Sequence, residues 1–125
     1  MKKVICSILA PEAIGPYSQA IEVNGMIFTS GQIPLDPGTG EIVGATIEEQ
    51  TERVMQNLKA VLAQAGVGFD HVVKTTCFLA DLADFAAFNA AYGKYFPENP
   101  PARSCFQVAA LPKGAKLEVE MIAAK

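Results

Sequence analysis

The chain has 125 residues, of which half are hydrophobic and 18% are charged, a balance that predicts a single folded domain over residues 1–125 and argues against disorder. Its formal net charge of −3, with scattered lysines and only two arginines, argues against nucleic-acid binding through a basic surface. No apolar run is long enough for a membrane span, and three cysteines without C-x-x-C spacing favour a cytoplasmic protein with reduced thiols over a disulfide framework or a zinc site.

The first third of the chain has the pattern of three short strands. Strands are expected over residues 3–7 and 18–23, and a return strand over residues 26–31. The dipeptide Asn24-Gly25 between the last two is the strongest short-range hairpin signal. The stretch "IPLDPGTGEIVG", residues 33–44, then predicts a surface loop because prolines and glycines interrupt both helices and strands.

Two later segments have the periodicity of helices. Residues 46–66 begin with a Thr46–Glu49 capping box, place apolar side chains on one face and end at a glycine. The β-branched run at residues 71–79 predicts a strand. A second helix is expected over residues 82–95, ended by the prolines of "FPENPP". Its core side is expected to carry Phe85, Phe88, Ala91, Tyr92 and Tyr95.

The last third predicts two more strands, over residues 104–109 and 116–124, joined by the turn "LPKGA". The resulting order β-β-β-α-β-α-β-β predicts an α+β fold. We expect a mainly antiparallel six-stranded sheet with two helices packed on one face.

The faces of the last two strands suggest where a site lies. If "LPKGA" closes a hairpin, strand alternation puts Arg103 and Cys105 on the same face as Glu118 and Glu120. Phe106 then faces the helices. The face with the charged groups has no helix left to cover it, so a second subunit is its expected cover.

Arg103, in "NPPARSCFQV", allows two interpretations. A guanidinium entering an apolar strand needs a negative partner, which Glu118 or Glu120 supplies if the group is a structural ion pair that fixes a subunit interface. In the other interpretation Arg103 directs two N–H donors onto a ligand carboxylate, a geometry that lysine cannot reproduce, while Glu118 holds or deprotonates a water. Both interpretations stay open at the level of the sequence.

Other chemical signals are weak. His71 is the only histidine and stands at a strand start without a nucleophile motif, so neither a Ser-His-Asp arrangement nor a metal site is predicted. The glycine-rich segments lack phosphate-loop spacing, and no cofactor is predicted. Cys105 lies beside Arg103, which favours a thiolate, but no general base is near in sequence and a packed cysteine is expected.

Several segments together resemble the RidA/YjgF family of reactive-intermediate deaminases. They are "AIGPYSQA", "FTSGQIPLDPGTGEIVG", "VVKTTCFLADLADF", "NAAYGKYF" and "PARSCFQVAALPKGAKLEVEMIA". The resemblance spans nearly the whole chain in order. It implies a chorismate-mutase-like fold, assembled as a homotrimer with active sites in clefts between subunits.

The resemblance also implies an activity, the hydrolysis of 2-imino acids such as 2-iminobutanoate and 2-iminopropanoate to 2-oxo acids and ammonia. Such imines arise when pyridoxal-phosphate enzymes such as threonine or serine dehydratase release enamines. The resemblance implies that the protein protects pyridoxal-phosphate enzymes from damage by these compounds. Residue by residue, Arg103 matches the arginine that binds the substrate carboxylate, Glu118 the glutamate associated with the hydrolytic water, and Cys105 a position whose backbone contacts substrate. The matching cleft-lining positions are Tyr17, Ser30, Gly31 and Asn89.

Imine hydrolysis suits a chain without a predicted nucleophile or cofactor, because an imine is already electrophilic. Orientation and one acid–base group, worth about 10²–10⁴-fold, are enough. Two alternatives remain: an endoribonuclease that inhibits translation, and a non-catalytic module that binds small carboxylates or acts as a chaperone.

Overall fold

The Asn24–Gly25 turn forms as the sequence predicts in the computed structural model, which describes residues 1–125. Both turn residues have left-handed backbones, with φ of 50° and 77°, which suits the twist of a two-residue hairpin. Strand β2 (Ala20–Val23) and strand β3 (Met26–Thr29) pair antiparallel on either side of it, and β1 (Lys3–Ile5) pairs with the other edge of β2.

The first helix, α1 (Ile47–Gln64), begins at the predicted capping box. The Glu49 N–H donates to Thr46 Oγ1 at 3.2 Å, and the Thr46 N–H donates to Glu49 Oε1 at 3.2 Å. The second helix, α2 (Phe85–Gly93), is shorter than predicted at both ends. Residues 82–84 form a 3₁₀ turn instead, since the Asp81 carboxylate accepts the Ala83 N–H at 2.9 Å and caps this turn separately.

The sheet order is β1-β2-β3-β6-β4-β5, so the predicted hairpin between the last two strands is wrong. Strand β4 (Val72–Leu79) lies between β5 (Ala102–Gln107) and β6 (Leu117–Ala124), parallel to β5 and antiparallel to β6. The reason is that α2 returns the chain to the start of β4, which makes the following strand a parallel neighbour. The "LPKGA" segment then crosses the end of β4 rather than turning back on β5.

Both helices pack on one face of this sheet, as predicted, and the buried apolar cluster lies between the two layers. On β6, Leu117, Val119 and Met121 are buried against the helices. The other face of the sheet is uncovered. Val4, Phe28 and Phe106 are 59%, 42% and 45% exposed there. The α+β class of the prediction, a mainly antiparallel six-stranded sheet with two helices on one face, is confirmed.

None of the helices combines the length and the apolar character that crossing a membrane requires.

Candidate active site

A cleft of about 450 Å³ opens beside Glu118. Four of the seven predicted site residues line it: Tyr17, Ser30, Gly31 and Glu118. The rest of its wall is formed by apolar and polar side chains from the loops before β2, after β3 and before β6: Pro11, Glu12, Ile14, Gln32, Ile33, Leu35, Pro112 and Lys113. The structure therefore brings together predicted site residues that are far apart in the sequence, from Tyr17 to Glu118.

Gly31 and Glu118 are in direct contact because the chain after β3 continues alongside β6. The Gln32 N–H donates to the Val119 carbonyl at 2.9 Å, and the Val119 N–H donates back to the Gln32 carbonyl at 3.2 Å. A Cβ at Gly31 would overlap the Glu118 carboxylate. Any larger residue at position 31 would force the Glu118 side chain to move, so the constraint on this position is space and not a left-handed backbone.

Ser30 is held in the cleft by two hydrogen bonds to the chain before β2. Its Oγ–H donates to the Ser18 carbonyl at 2.6 Å and its N–H donates to the Gln19 carbonyl at 2.9 Å. Because the hydroxyl proton is used internally, the free lone pairs of Oγ can only accept a hydrogen bond from a ligand. Tyr17 is half-exposed, so its ring is available to whatever occupies the cleft.

Glu118 is a perturbed acid. Burial raises the pKa of its carboxyl group above the ordinary value of 4.5, and the negative charge of Glu120 raises it further. Its neighbour in register on β4 is Phe78, whose ring packs edge-on against Phe106 at 5.2 Å between centroids. A carboxyl group with a raised pKa binds and releases a proton closer to neutral pH, which suits acid–base chemistry.

Arg103 lies on the opposite face of the sheet from Glu118. It pairs in register with Thr75 of β4, whose β6 neighbour is Met121, and both of these side chains are buried on the helix side. The prediction that Arg103 and Cys105 share a face with Glu118 and Glu120 is therefore wrong.

The prediction that Phe106 faces the helices is wrong for the same reason. Phe106 lies on the uncovered face of the sheet. The prediction assumed that apolar residues of this strand face the helices. At the edge strand β5, however, the covering helix α2 presents aromatic rings and an amide, which accommodate an arginine better than a purely aliphatic surface does.

No carboxylate of the same chain lies within 4.0 Å of the Arg103 guanidinium nitrogens. Its Nη1–H donates to Asn89 Oδ1 at 2.7 Å. Its Cζ lies 5.5, 5.9 and 5.1 Å from the ring centroids of Phe85, Phe88 and Tyr92. The salt bridges of the single chain are His71–Asp70 and Lys125–Glu22. Arg103 therefore does not pair with Glu118 or Glu120 within one chain, and an ion pair across a subunit interface stays a prediction.

Asn89 and Cys105 accompany Arg103 on the helix side, so the seven predicted residues fall into two groups on opposite faces. Cys105 packs against the core as expected. Burial raises the pKa of its thiol, and the nearby Arg103 guanidinium lowers it by less. Its register partner Cys77 is fully buried, which raises the pKa of that thiol to about 12. Both thiols therefore stay protonated near neutral pH.

His71 lies in neither of the two groups of predicted site residues. It ends a short 3₁₀ turn before β4, and its Nδ1 lies 3.0 Å from Asp70 Oδ1. No three histidine, cysteine, aspartate or glutamate side chains cluster at a distance suited to a metal ion.

The aromatic contacts of Arg103 were not predicted from the sequence. Phe85, Phe88 and Tyr92 were expected on the core side of the second helix, which is correct for Phe88 and Tyr92. The available signal was their i, i+3, i+7 spacing around Asn89, which places all four side chains along one stripe. The sequence does not show which strand pairs with β5, and therefore does not show that this stripe of α2 contacts Arg103.

Comparison with known proteins gives one consistent result. The family model described as endoribonuclease L-PSP matches residues 7–125. Protein DfrA of Myxococcus xanthus is 57% identical over 98% of this chain and 95% of its own. A mouse protein named 2-iminobutanoate/2-iminopropanoate deaminase is 47% identical over 98% of this chain and 91% of its own.

Solved structures agree with the sequence comparison. A protein of Entamoeba histolytica that carries the endoribonuclease L-PSP name is 58% identical, covers the whole of both chains and superposes with a TM-score of 0.96. TdcF of E. coli, crystallised with bound serine, is 45% identical over 98% of both chains, with a TM-score of 0.94.

Proposed function

This chain belongs to the endoribonuclease L-PSP family, also called the YjgF/RutC/RidA family, and on that basis we propose that it is an imine deaminase. The proposed reaction is the hydrolysis of 2-iminobutanoate and 2-iminopropanoate to the 2-oxo acids and ammonia. The name of the mouse relative and the serine bound to TdcF support a small amino-acid-like carboxylate as the ligand.

The observation that carries the proposal is that Arg103 has no carboxylate partner within its own chain. The charge of its half-buried guanidinium is therefore not neutralised by the chain itself. Such a charge is stabilised when a ligand supplies the missing anion, and a planar carboxylate matches the arginine fork. The substrate carboxylate is therefore the proposed partner of Arg103.

The proposal also requires two copies of the chain. Arg103 and Asn89 lie on the helix side of the sheet, whereas Glu118, Tyr17, Ser30 and Gly31 face the cleft on the other side. One subunit thus offers the carboxylate-binding group and another offers the acid–base group. The exposed apolar side chains of the uncovered face give the subunits a surface to bury, and we propose a homotrimer with sites between neighbouring subunits.

The proposed chemistry needs one positioned acid–base group. Water adds to C2 of the imine, CH₃CH₂C(=NH)COO⁻, to give a carbinolamine. Loss of ammonia then leaves CH₃CH₂C(=O)COO⁻. Glu118 takes a proton from the attacking water and delivers it to the imine nitrogen, which gives the carbinolamine. It then takes the proton of the carbinolamine hydroxyl and delivers it to the amine, so that ammonia leaves with both protons of the water as the C=O bond forms. The raised pKa of the Glu118 carboxyl group suits both accepting and donating a proton.

The biological role that follows is protection. Pyridoxal-phosphate enzymes of the threonine or serine dehydratase type release 2-imino acids, and we propose that this protein removes them in the cytoplasm. No cofactor is part of the proposal, because water adds directly to the C=N bond.

An endoribonuclease is the second candidate, since the family description carries that name. Its RNA ligand would have to bind a chain with net charge −3 and a single histidine that lines neither group of site residues. The third candidate, a non-catalytic carboxylate-binding or chaperone-like module, predicts ligand binding without turnover.

The deciding experiment couples the purified protein to threonine dehydratase and follows the decay of the released imine. We expect faster formation of 2-oxobutanoate, lost in Arg103→Ala while the oligomer stays intact by size-exclusion chromatography. No acceleration by the wild-type protein would refute the deaminase. Cleavage of RNA that depends on Arg103 would favour the second candidate, and binding of 2-oxobutanoate without turnover the third.

A further inference from the structure

We propose that three aromatic side chains of α2, those of Phe85, Phe88 and Tyr92, are positioning residues that orient the Arg103 guanidinium without neutralising its charge. This inference rests on the proposed function, because it concerns how the substrate carboxylate is bound. It adds a set of residues to which no site role has been assigned.

The geometry of the three rings supports it. Their centroids lie 5.1 to 5.9 Å from Arg103 Cζ, within the distance at which a ring face attracts a cation. Their spacing along α2 places them on one stripe of the helix. The guanidinium is thus contacted by three rings of one rigid element, and its remaining freedom is limited by the hydrogen bond to Asn89.

Aromatic rings can orient the Arg103 guanidinium and still leave its N–H donors free for a ligand. A carboxylate partner would also hold Arg103, but it would occupy the N–H donors and cancel the charge that attracts the substrate. Aromatic faces attract the cation through their quadrupole and accept none of its conventional hydrogen bonds. Asn89 accepts from Nη1 and carries no charge. The fork is therefore oriented and still available to an anion.

The rings are themselves fixed to different degrees. Phe88 is fully buried, and the Tyr92 hydroxyl shares a hydrogen bond of 2.8 Å with Thr75, the register partner of Arg103. Phe85 is 37% exposed at the start of α2. Phe85 is accordingly the ring that can be changed without opening a cavity in the core.

The test compares Phe85→Leu, which removes one ring, with Phe85→Tyr, which keeps it. Leu82→Ala is the matched control, because Leu82 is exposed just before α2 and is not among the Arg103 contacts. Binding of 2-oxobutanoate and of its neutral amide, 2-oxobutanamide, is measured by calorimetry on the intact oligomer. The kcat and KM for imine hydrolysis are measured alongside.

We expect Phe85→Leu to bind 2-oxobutanoate about two- to fivefold more weakly, the loss corresponding to one partly exposed cation–π contact. KM should rise by the same factor while kcat stays within about twofold. Binding of the amide should not change, because it lacks the anion. Phe85→Tyr and Leu82→Ala should behave as wild type.

Unchanged carboxylate binding in Phe85→Leu overturns the inference, as does equal weakening of the acid and the amide. A second readout does not depend on any change at position 85: the Arg103 Nε–H NMR signal, assigned by its loss in Arg103→Lys, should be shifted by ring currents. A signal at the position of a free arginine also overturns the inference. If wild type neither binds 2-oxobutanoate nor hydrolyses the imine, the proposed function itself has failed, and the inference fails with it.

Discussion

Arg103 and Glu118 project from opposite faces of the same sheet. Arg103 is aligned with Thr75 and Glu118 with Phe78, three positions further along β4, so strand alternation sends their side chains in opposite directions. A reaction that uses both groups on one small substrate must therefore draw them from two copies of the chain. This relationship makes the proposed assembly and the proposed chemistry testable together.

Mixing two inactive variants should restore activity. Arg103→Ala retains Glu118, and Glu118→Gln retains Arg103, so a mixed oligomer contains some interfaces with both native groups. For random assembly at equal amounts, about one quarter of the interfaces are native, and about one quarter of the wild-type activity is expected. The measurement is imine hydrolysis after the two variants are unfolded together and refolded.

The control is the same mixture prepared without unfolding, in which the subunits have not exchanged and activity should stay low. A double variant carrying both changes should remain inactive when it alone is unfolded and refolded in the same way. If the co-refolded mixture is as inactive as its components, the two groups do not act across one interface.

The rate of imine hydrolysis should depend on pH through Glu118. This group must be ionised to accept a proton from water, and burial together with the Glu120 charge raises its pKa above 4.5. Activity should therefore rise with pH through this raised pKa. Glu118→Gln should lower kcat/KM by about 10²-fold or more and remove this limb of the profile.

Glu120→Gln provides the comparison. It removes one of the two causes of the shift, so the pKa of Glu118 falls and the rising limb moves to lower pH while activity at neutral pH persists. The opposite result, loss of activity in Glu120→Gln but not in Glu118→Gln, would assign the acid–base role to Glu120.

Gly31→Ala should impair catalysis more than stability. The new Cβ would overlap the Glu118 carboxylate, which must then rotate away from its position in the cleft. A displacement of about 1 Å can cost on the order of 10²-fold in rate. Gly93→Ala is the matched control, because nothing lies within 4 Å of a Cβ at that position. We expect near wild-type activity for it, and equal losses in the two variants would contradict the spatial argument.

Asn89→Asp should weaken substrate binding more than Asn89→Ala does. An aspartate at this position places a carboxylate on Arg103, where the native amide accepts a hydrogen bond at 2.7 Å. The resulting ion pair competes with the substrate, and hydrogen bonds to charged groups of this kind are worth about 1.5–3 kcal/mol, or roughly ten- to a hundredfold in KM. Steady-state kinetics of both variants test this. A smaller effect for aspartate than for alanine would mean that the charge of Arg103 is not used in binding.

The α1 capping box should support the stability of the whole domain. Thr46→Ala is expected to lower the free energy of unfolding by about 1 kcal/mol in urea denaturation, with Thr39→Ala in the exposed loop as control. Hydrogen bonds from the Ala45 and Thr46 backbone N–H groups lower the pKa of Glu49 below 4.5.

The lowered pKa of Glu49 determines how the free energy of unfolding depends on pH. The stabilisation from Glu49 is fully present above its unfolded pKa and is lost as pH falls through the lower folded pKa. The difference in melting temperature between wild type and Glu49→Ala should therefore be largest near about pH 7 and shrink in acid. A difference that grows in acid would contradict the assigned cause.

The sequence predicted the local features well. The Asn24–Gly25 hairpin, the Thr46–Glu49 capping box and the alternation along β6 follow from interactions between residues close in the chain, and the structure confirms them. The family resemblance, and with it the seven site residues, was also available from the sequence. Their proposed roles remain predictions to be tested by the variants above.

The order of residues along the chain is therefore enough to predict which elements form and which side chains of each strand share a face. The face of the sheet on which Arg103 lies depends instead on how the strands pack together. That choice depends on β5 pairing with β4 instead of β6, a contact between segments about 28 residues apart that alternation within a strand cannot specify. The same pairing brings Arg103 against the rings of α2 and separates it from Glu118, because strand neighbours are selected by the packing of the whole chain.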